Sequence, residues 1–135
     1  RIFNVYGPRM VGSKYGQVIP EFIERLNNGE HPLKIIGDGS HTRSFCYIDD
    51  HIDLTWRALN AAKKNEVYNI GNPIEIKIID LASIIMKKMK LEVNYKFLPE
   101  RSGDHKRRAP NISKVIKEVG EFDFISLENG IQRLI

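Results

Sequence analysis

Apolar residues recur at helical spacing in several stretches of the chain and in short compact blocks between them. Val18, Ile19, Phe22, Ile23 and Leu26 share one helical face that ends at Gly29. Ile52, Trp56, Leu59 and Ala62 mark a second helix, with Asp49 or Asp50 placed to cap it by accepting the unpaired amide hydrogens of its first turn. Leu81, Ile84, Ile85 and Met89 mark a third, closed by Lys87, Lys88 and Lys90, whose charges suit a helix C-terminus. Ile112, Val115, Ile116 and Val119 mark a short fourth helix that starts at Asn111 and stops at Gly120, and Ser126 caps a fifth. Residues 1–4, Leu33–Ile36, Thr42–Ile48, Val67–Ile70 and Val93–Leu98 read as strands, and Asp38-Gly39 between the second and third of these predicts a hairpin. Residues 5–16 read as a glycine-rich loop, Gly71-Asn-Pro73 as a turn and Arg101–Arg108 as a charged loop. Strands alternating with helices predict an α/β fold.

Composition narrows the classes without choosing among them. The 135 residues, 41% hydrophobic and 28% charged, suffice for one core, and no apolar run approaches the roughly 18 residues of a membrane span. The single cysteine, Cys46, excludes an internal disulfide and fits a reducing compartment, so a cytoplasmic location is expected. Between Phe45 and Tyr47 it is expected to be buried and unreactive. The net charge is +4, but the densest basic run, His105-Lys-Arg-Arg108, holds no aromatic residue to stack a base, so no nucleic-acid partner is expected. His41, Cys46, Asp49 and His51 lack metal-ligand spacing, and no metal is expected.

Four motifs occur in order along nearly the whole chain. These are Arg1-Ile-Phe-Asn-Val-Tyr-Gly-Pro-Arg9, Gly37-Asp-Gly-Ser-His-Thr-Arg-Ser-Phe-Cys-Tyr-Ile-Asp-Asp50, Val67-Tyr-Asn-Ile-Gly71 and Arg101-Ser-Gly-Asp104. Together they resemble the C-terminal portion of the extended short-chain dehydrogenase/reductase family, whose members epimerise, dehydrate or decarboxylate nucleotide-diphosphate sugars. The resemblance is nearest to the UDP-glucuronate decarboxylase and dTDP-glucose 4,6-dehydratase branches, followed by the 4-epimerases. It implies a partial Rossmann-type α/β fold, with residues 1–135 as the substrate-binding part of a longer enzyme that is commonly a homodimer. NAD, which oxidises the sugar at C4 in that family, is then bound mainly by an N-terminal portion outside this chain. Two absences agree. The nearest approach to a dinucleotide fingerprint is Gly37-x-Gly39-x-x-Thr42, and no tyrosine has a lysine four residues on, so neither the pyrophosphate turn nor the Tyr-x-x-x-Lys pair is present. The alternative to an enzyme portion is a free-standing module for an anionic ligand or nucleic acid.

The same resemblance assigns roles to individual residues. Asn4 matches an asparagine that donates to the substrate diphosphate, a role that an amide fills without adding charge. Gln17 and Val18 open the first helix, where free amides favour an anion. Arg43 lies on a strand that otherwise reads apolar, with Phe45 and Tyr47 on its side of the pleat, and a guanidinium there needs an anionic partner. The family places a phosphate-binding arginine at this position, which in decarboxylase-like members is also a candidate acid or clamp for the substrate carboxylate. Arg101 and Asp104 match a late pair in which the arginine binds diphosphate and the acid accepts from ribose hydroxyls. Read without the family, Arg101 and Asp104 would be a surface salt bridge. No catalytic residue is assigned beyond Arg43 as a candidate.

Overall fold

The computed structural model describes residues 1–12 and 17–135 and is mixed α/β. Ser13–Gly16, the end of the expected glycine-rich loop, lie outside the described residues. Three small sheets hold the chain together. In the first, β1 (Val5–Tyr6) runs parallel to β4 (Cys46–Tyr47), extended by a single bridge between Ile2 and Ile70. In the second, β2 (Leu33–Ile36) runs parallel to β6 (Tyr95–Leu98). In the third, β3 (Thr42–Ser44) lies between antiparallel β5 (Glu75–Lys77) and parallel β7 (Arg107–Arg108).

The five expected helices form: α1 (Val18–Asn27), α2 (Ile48–Ala61), α3 (Ile78–Lys88), α4 (Ser113–Val119) and α5 (Leu127–Gln132). Ile19, Phe22 and Leu26 of α1 and Leu81, Ala82, Ile85 and Met86 of α3 build the larger core with Leu33, Ile35, Tyr6, Tyr47 and Ile131. Leu54, Ala58, Ile70, Ile112 and Val115 form a second cluster between α2 and α4. At about 25 cal/mol per Å² of apolar surface, each of the Leu, Ile, Val, Phe and Met side chains among these contributes roughly 1.5–3 kcal/mol when fully buried. The Ser126 hydroxyl caps α5 as expected, accepting from the Asn129 amide at 3.3 Å. Gly120, at a φ of 84°, ends α4.

Several expectations fail because tertiary partners outcompete local signals. Leu33–Ile36 and Thr42–Ile48 do not form a hairpin. Asp38-Gly39 does turn, with Gly37 and Gly39 at positive φ and the Ser40 amide on the Asp38 carboxylate at 2.9 Å, but it sends the flanking strands to different sheets. The alternate burial of Leu33 and Ile35 fits β6 as partner, and Ile79, its Cβ foremost, packs where Gly39 has no side chain. The strand expected over Thr42–Ile48 breaks at Phe45, and Ile48 already belongs to α2. The strand expected at residues 1–4 shifts to Val5–Tyr6, and that at Val67–Ile70 shrinks to the Ile70 bridge. Strand β5 and the β7 segment inside the charged loop went unforeseen.

The second helix is turned from its expected orientation. Ile52, Trp56 and Leu59 are 59%, 66% and 74% exposed, while Asp50, Leu54 and Ala58 face inward. Both stripes have helical spacing, and periodicity alone favoured the bulkier one. Nor do Asp49 and Asp50 cap the helix. Its N-cap is Tyr47, without a side-chain bond; Asp50 instead accepts from the Ile125 amide at 2.9 Å, tying α2 to the segment before α5, and Asp49 pairs with Arg133. Cys46 is buried, as its flanks implied, and burial together with Asp50 pushes its thiol up to about 12.

Candidate functional site

A cleft of about 270 Å³ opens where the three sheets meet the start of α1. Its wall includes Asn4, Gln17, Val18, Arg43, Arg101 and Asp104, all six residues singled out from the sequence, although they span 100 positions of the chain. Each is delivered by a different local cause. The carbonyl of Asn4 accepts from the Cys46 amide at 3.1 Å, which docks the residue beside β4 in a left-handed conformation of φ 39°. Asparagine tolerates that region better than most residues. Its side-chain amide nitrogen is buried without a hydrogen-bond partner among the described residues, so a donor stands ready at the cleft. Gln17, also left-handed at φ 71°, turns the chain into α1, and no side chain among the described residues caps that helix. Its first amide hydrogens therefore face the cleft end with the positive pole of the helix behind them. Arg101 and Asp104 flank a tight turn in which the Asp104 amide approaches the Arg101 carbonyl at 3.4 Å and Gly103 takes a φ of 85°. Their side chains do not pair with each other, so the surface salt bridge that their spacing alone would suggest is not formed.

Arg43 sits on β3 in the middle of this wall, beside Phe45. Its one hydrogen bond is to the carbonyl of Thr42 at 2.8 Å, and no carboxylate lies within ion-pair distance among the described residues. Burial first, and then the positive charge of Arg108, weakens its hold on the proton, with Asp104 acting in the opposite sense. A half-buried cation next to another cation is an unfavourable arrangement that an anionic ligand would relieve. By contrast Arg25, at the cleft edge, is fully engaged. Glu30, Glu21 and the Lys34 carbonyl take its donors, and this holds the Glu30 carboxyl down at about 2.

Sequence reasoning missed Arg108, Lys34 and His41, which also line the cleft. Arg108 reaches it because β7 pairs with β3, a contact with no local signature. His41 pairs with Glu100 at 2.9 Å and so ties the Asp-Gly turn to the loop that carries Arg101. Across the cleft, among the described residues, Lys34, Arg43, Arg101 and Arg108 have no acidic ion-pair partner, against the one unpaired carboxylate of Asp104. The cleft wall thus carries an excess of positive charge.

The turn at Gly37–Gly39 does not offer a cradle for a dinucleotide. It is filled by packing, since a Cβ at Gly39 would lie 2.8 Å from Cβ of Ile79, and β3 rather than a helix follows it. Among the described residues no group of three His, Cys, Asp or Glu side chains clusters for a metal, and no helix is long and apolar enough to cross a membrane.

The chain belongs to the NAD dependent epimerase/dehydratase family, whose profile matches residues 1–71. It is 33% identical over 138 residues to UDP-glucuronic acid decarboxylase 1 of Arabidopsis thaliana, an alignment that covers all of this chain and 30% of the plant protein. In structure it superposes on UDP-glucuronic acid 4-epimerase from Bacillus cereus, solved with UDP-glucuronic acid and NAD, with a TM-score of 0.83 at 33% identity, covering 98% of this chain and 42% of the other. The dTDP-glucose 4,6-dehydratase DesIV from Streptomyces venezuelae gives a TM-score of 0.84 at 26% identity, covering 98% and 40%. The α/β architecture is thus that of the extended epimerase/dehydratase fold, and the chain spans about a third of the length of the curated relatives it matches.

Proposed function

We propose that this chain is the substrate-binding, C-terminal portion of an NAD-dependent enzyme acting on a nucleotide-diphosphate sugar, nearest in kind to a UDP-glucuronate decarboxylase. A dTDP-glucose dehydratase and a 4-epimerase are the neighbouring outcomes. The observation that carries the reading is Arg43, a half-buried guanidinium without a carboxylate partner, set in one cleft with the five other residues named from the sequence. In this reading Arg43 and Arg101 hold the diphosphate, Asn4 adds a neutral donor, and Gln17 and Val18 present helix-start amides. Asp104 accepts from the ribose diol. Each pairing matches donor geometry to ligand chemistry: planar forks for phosphate, a carboxylate for vicinal hydroxyls.

The chain's own contribution to catalysis is then to bind and orient. Holding a flexible nucleotide-sugar by its diphosphate fixes the sugar ring relative to the reacting groups and removes an entropic part of the barrier. NAD and the proton-transfer pair are assigned to an N-terminal portion, since nothing described in this chain forms a dinucleotide cradle. The intact enzyme is taken as a cytoplasmic homodimer, in keeping with the single reduced cysteine.

Calorimetric titration of the full-length protein with UDP and dTDP tests the reading. Binding of one of them in the micromolar range, weakened at least tenfold by Arg101→Ala and unaffected by saturating NAD, is expected. A full-length protein that binds neither nucleotide would refute it. The 135-residue chain alone is expected to turn over no nucleotide-sugar.

A further inference from the structure

Arg101 and Asp104 sit on a loop between two pinned points. At one end the Leu98 carbonyl accepts from the Gly37 amide at 2.9 Å, and at the other the Lys106 carbonyl accepts from the Thr42 amide at 2.9 Å. Every residue from Pro99 to His105 is exposed, and the bond from the Asp104 amide to the Arg101 carbonyl is internal to the loop. Among the described residues, one hydrogen bond ties this loop to the rest of the protein: His41 Nε2 donates to Glu100 Oε1 at 2.9 Å. The stem of Glu100 lies beside Gly37, where a Cβ would meet its Cγ at 3.8 Å.

The two ends of that bond differ in rigidity. His41 belongs to a turn fixed to the start of α3: the His41 carbonyl accepts from the Ile78 amide at 2.9 Å and the Gly39 carbonyl from the Ile79 amide at 3.1 Å, while Leu81 and Ile85 seat α3 in the larger core. The His41 side chain is 13% exposed, that of Glu100 53%. His41 is the fixed post and Glu100 the moving partner. Because Arg101 follows Glu100 directly, holding one side chain sets where the next begins. An exposed pair of this kind contributes little to global stability. Local opening of a surface loop costs a similarly small amount, so the pair can decide how much of the population has the loop closed. Resting on the diphosphate reading, we propose that His41 and Glu100 are positioning residues that act through Arg101 and Asp104: their bond latches the Pro99–His105 loop to the Asp-Gly turn, so that ligand binding does not have to close it. Without the latch the closed loop is only a fraction of the population, and apparent affinity falls by that fraction.

Affinities for UDP and dTDP are measured by calorimetry on the full-length protein, and amide hydrogen exchange is followed on the same variants. His41→Ala and Glu100→Ala should each weaken binding roughly three- to tenfold, and the double variant no more than either alone. Glu100→Gln, whose side-chain carbonyl still accepts from the ring, should recover most of the loss. In a background carrying Arg101→Ala and Asp104→Ala, the further change His41→Ala should cost less than about twofold, since the residues it positions are gone. The amides of Ser102 to His105 should exchange faster in both single variants while thermal midpoints stay unchanged. Additive losses in the double variant would place His41 or Glu100 on the ligand itself and overturn the proposal. A loss that persists without Arg101 and Asp104 overturns it as well, and so does unchanged exchange in the loop. If the wild type binds neither nucleotide, the diphosphate reading falls by itself, and loop exchange still decides whether the latch holds.

Discussion

Replacing Arg43 by alanine separates a ligand-binding arginine from a structural one, because the two roles predict opposite balances of stability and affinity. If Arg43 completed a buried ion pair, its removal would strand a carboxylate and destabilise the fold by about 3–5 kcal/mol. The structure offers no such carboxylate. What the substitution removes is one bond to the Thr42 carbonyl, about 0.5–1.5 kcal/mol, and some packing of the side-chain stem. Against that loss it also removes a partly desolvated charge and its repulsion with Arg108. The expected net change in unfolding free energy is therefore within about 1 kcal/mol of zero. Ligand affinity should respond far more, since charge-assisted hydrogen bonds contribute about 1.5–3 kcal/mol each, or roughly ten- to a hundredfold in the dissociation constant of UDP. Arg43→Lys should recover little, because an ammonium cannot present a planar fork. Urea denaturation and calorimetric titration of the same full-length preparations give both numbers. A variant destabilised by 3 kcal/mol or more that still binds UDP with wild-type affinity would show that Arg43 is structural and that the site is misassigned.

Packing and charge set four further outcomes. A Cβ at Gly130 would fall on the Tyr6 hydroxyl and 2.8 Å from its ring, so Gly130→Ala should lose about 2 kcal/mol, an overpacking cost of about 3 offset by about 1 of helix propensity. Tyr6→Phe removes a buried hydroxyl that has no partner; it should be near neutral alone and should recover part of the loss in the double variant, as thermal melts would show. Glu30, held at about 2 against an ordinary 4.5, stabilises the folded chain fully above pH 4.5 and loses that contribution as pH falls toward 2. Glu30→Gln should accordingly flatten the acid side of the stability profile in urea titrations between pH 6 and 2.5, and an unchanged slope would contradict the Arg25 pairing. Finally, the Ile52–Trp56–Leu59 stripe should make the 135-residue chain self-associate, and replacing Trp56 and Leu59 by serine should shift sedimentation toward monomer; a wild-type chain that stays monomeric at high concentration would exclude the stripe as an association surface.

Helix existence, the class of fold and the candidacy of Arg43 were legible along the chain because each leaves a local trace, while the other ligand-contact candidates came from the order of motifs that carries the family resemblance. An apolar face every 3.6 residues, a serine before a helix, an arginine in an apolar strand and a Ser-Gly-Asp turn are all readable within a dozen residues. Strand partners leave no such trace. Leu33–Ile36 carries the same apolar pattern whether it pairs with the next block or with Tyr95–Leu98, and only the joint burial of Leu33, Ile35 and α3 decides between them. Helix α2 holds two apolar stripes, and which one faces inward depends on Ile70, Ile112 and Val115, which arrive from elsewhere. The cleft divides along the same line. Arg43 was a candidate by its residue type in an apolar strand, and Arg101 and Asp104 by the family resemblance alone, whereas Arg108 looked like one charge in a solvated run until the pairing of β3 with β7 placed it opposite Arg43. Side-chain chemistry and period are properties of short segments, but a site's charge balance depends on strand register and long-range burial, which exist only once the chain has closed on itself.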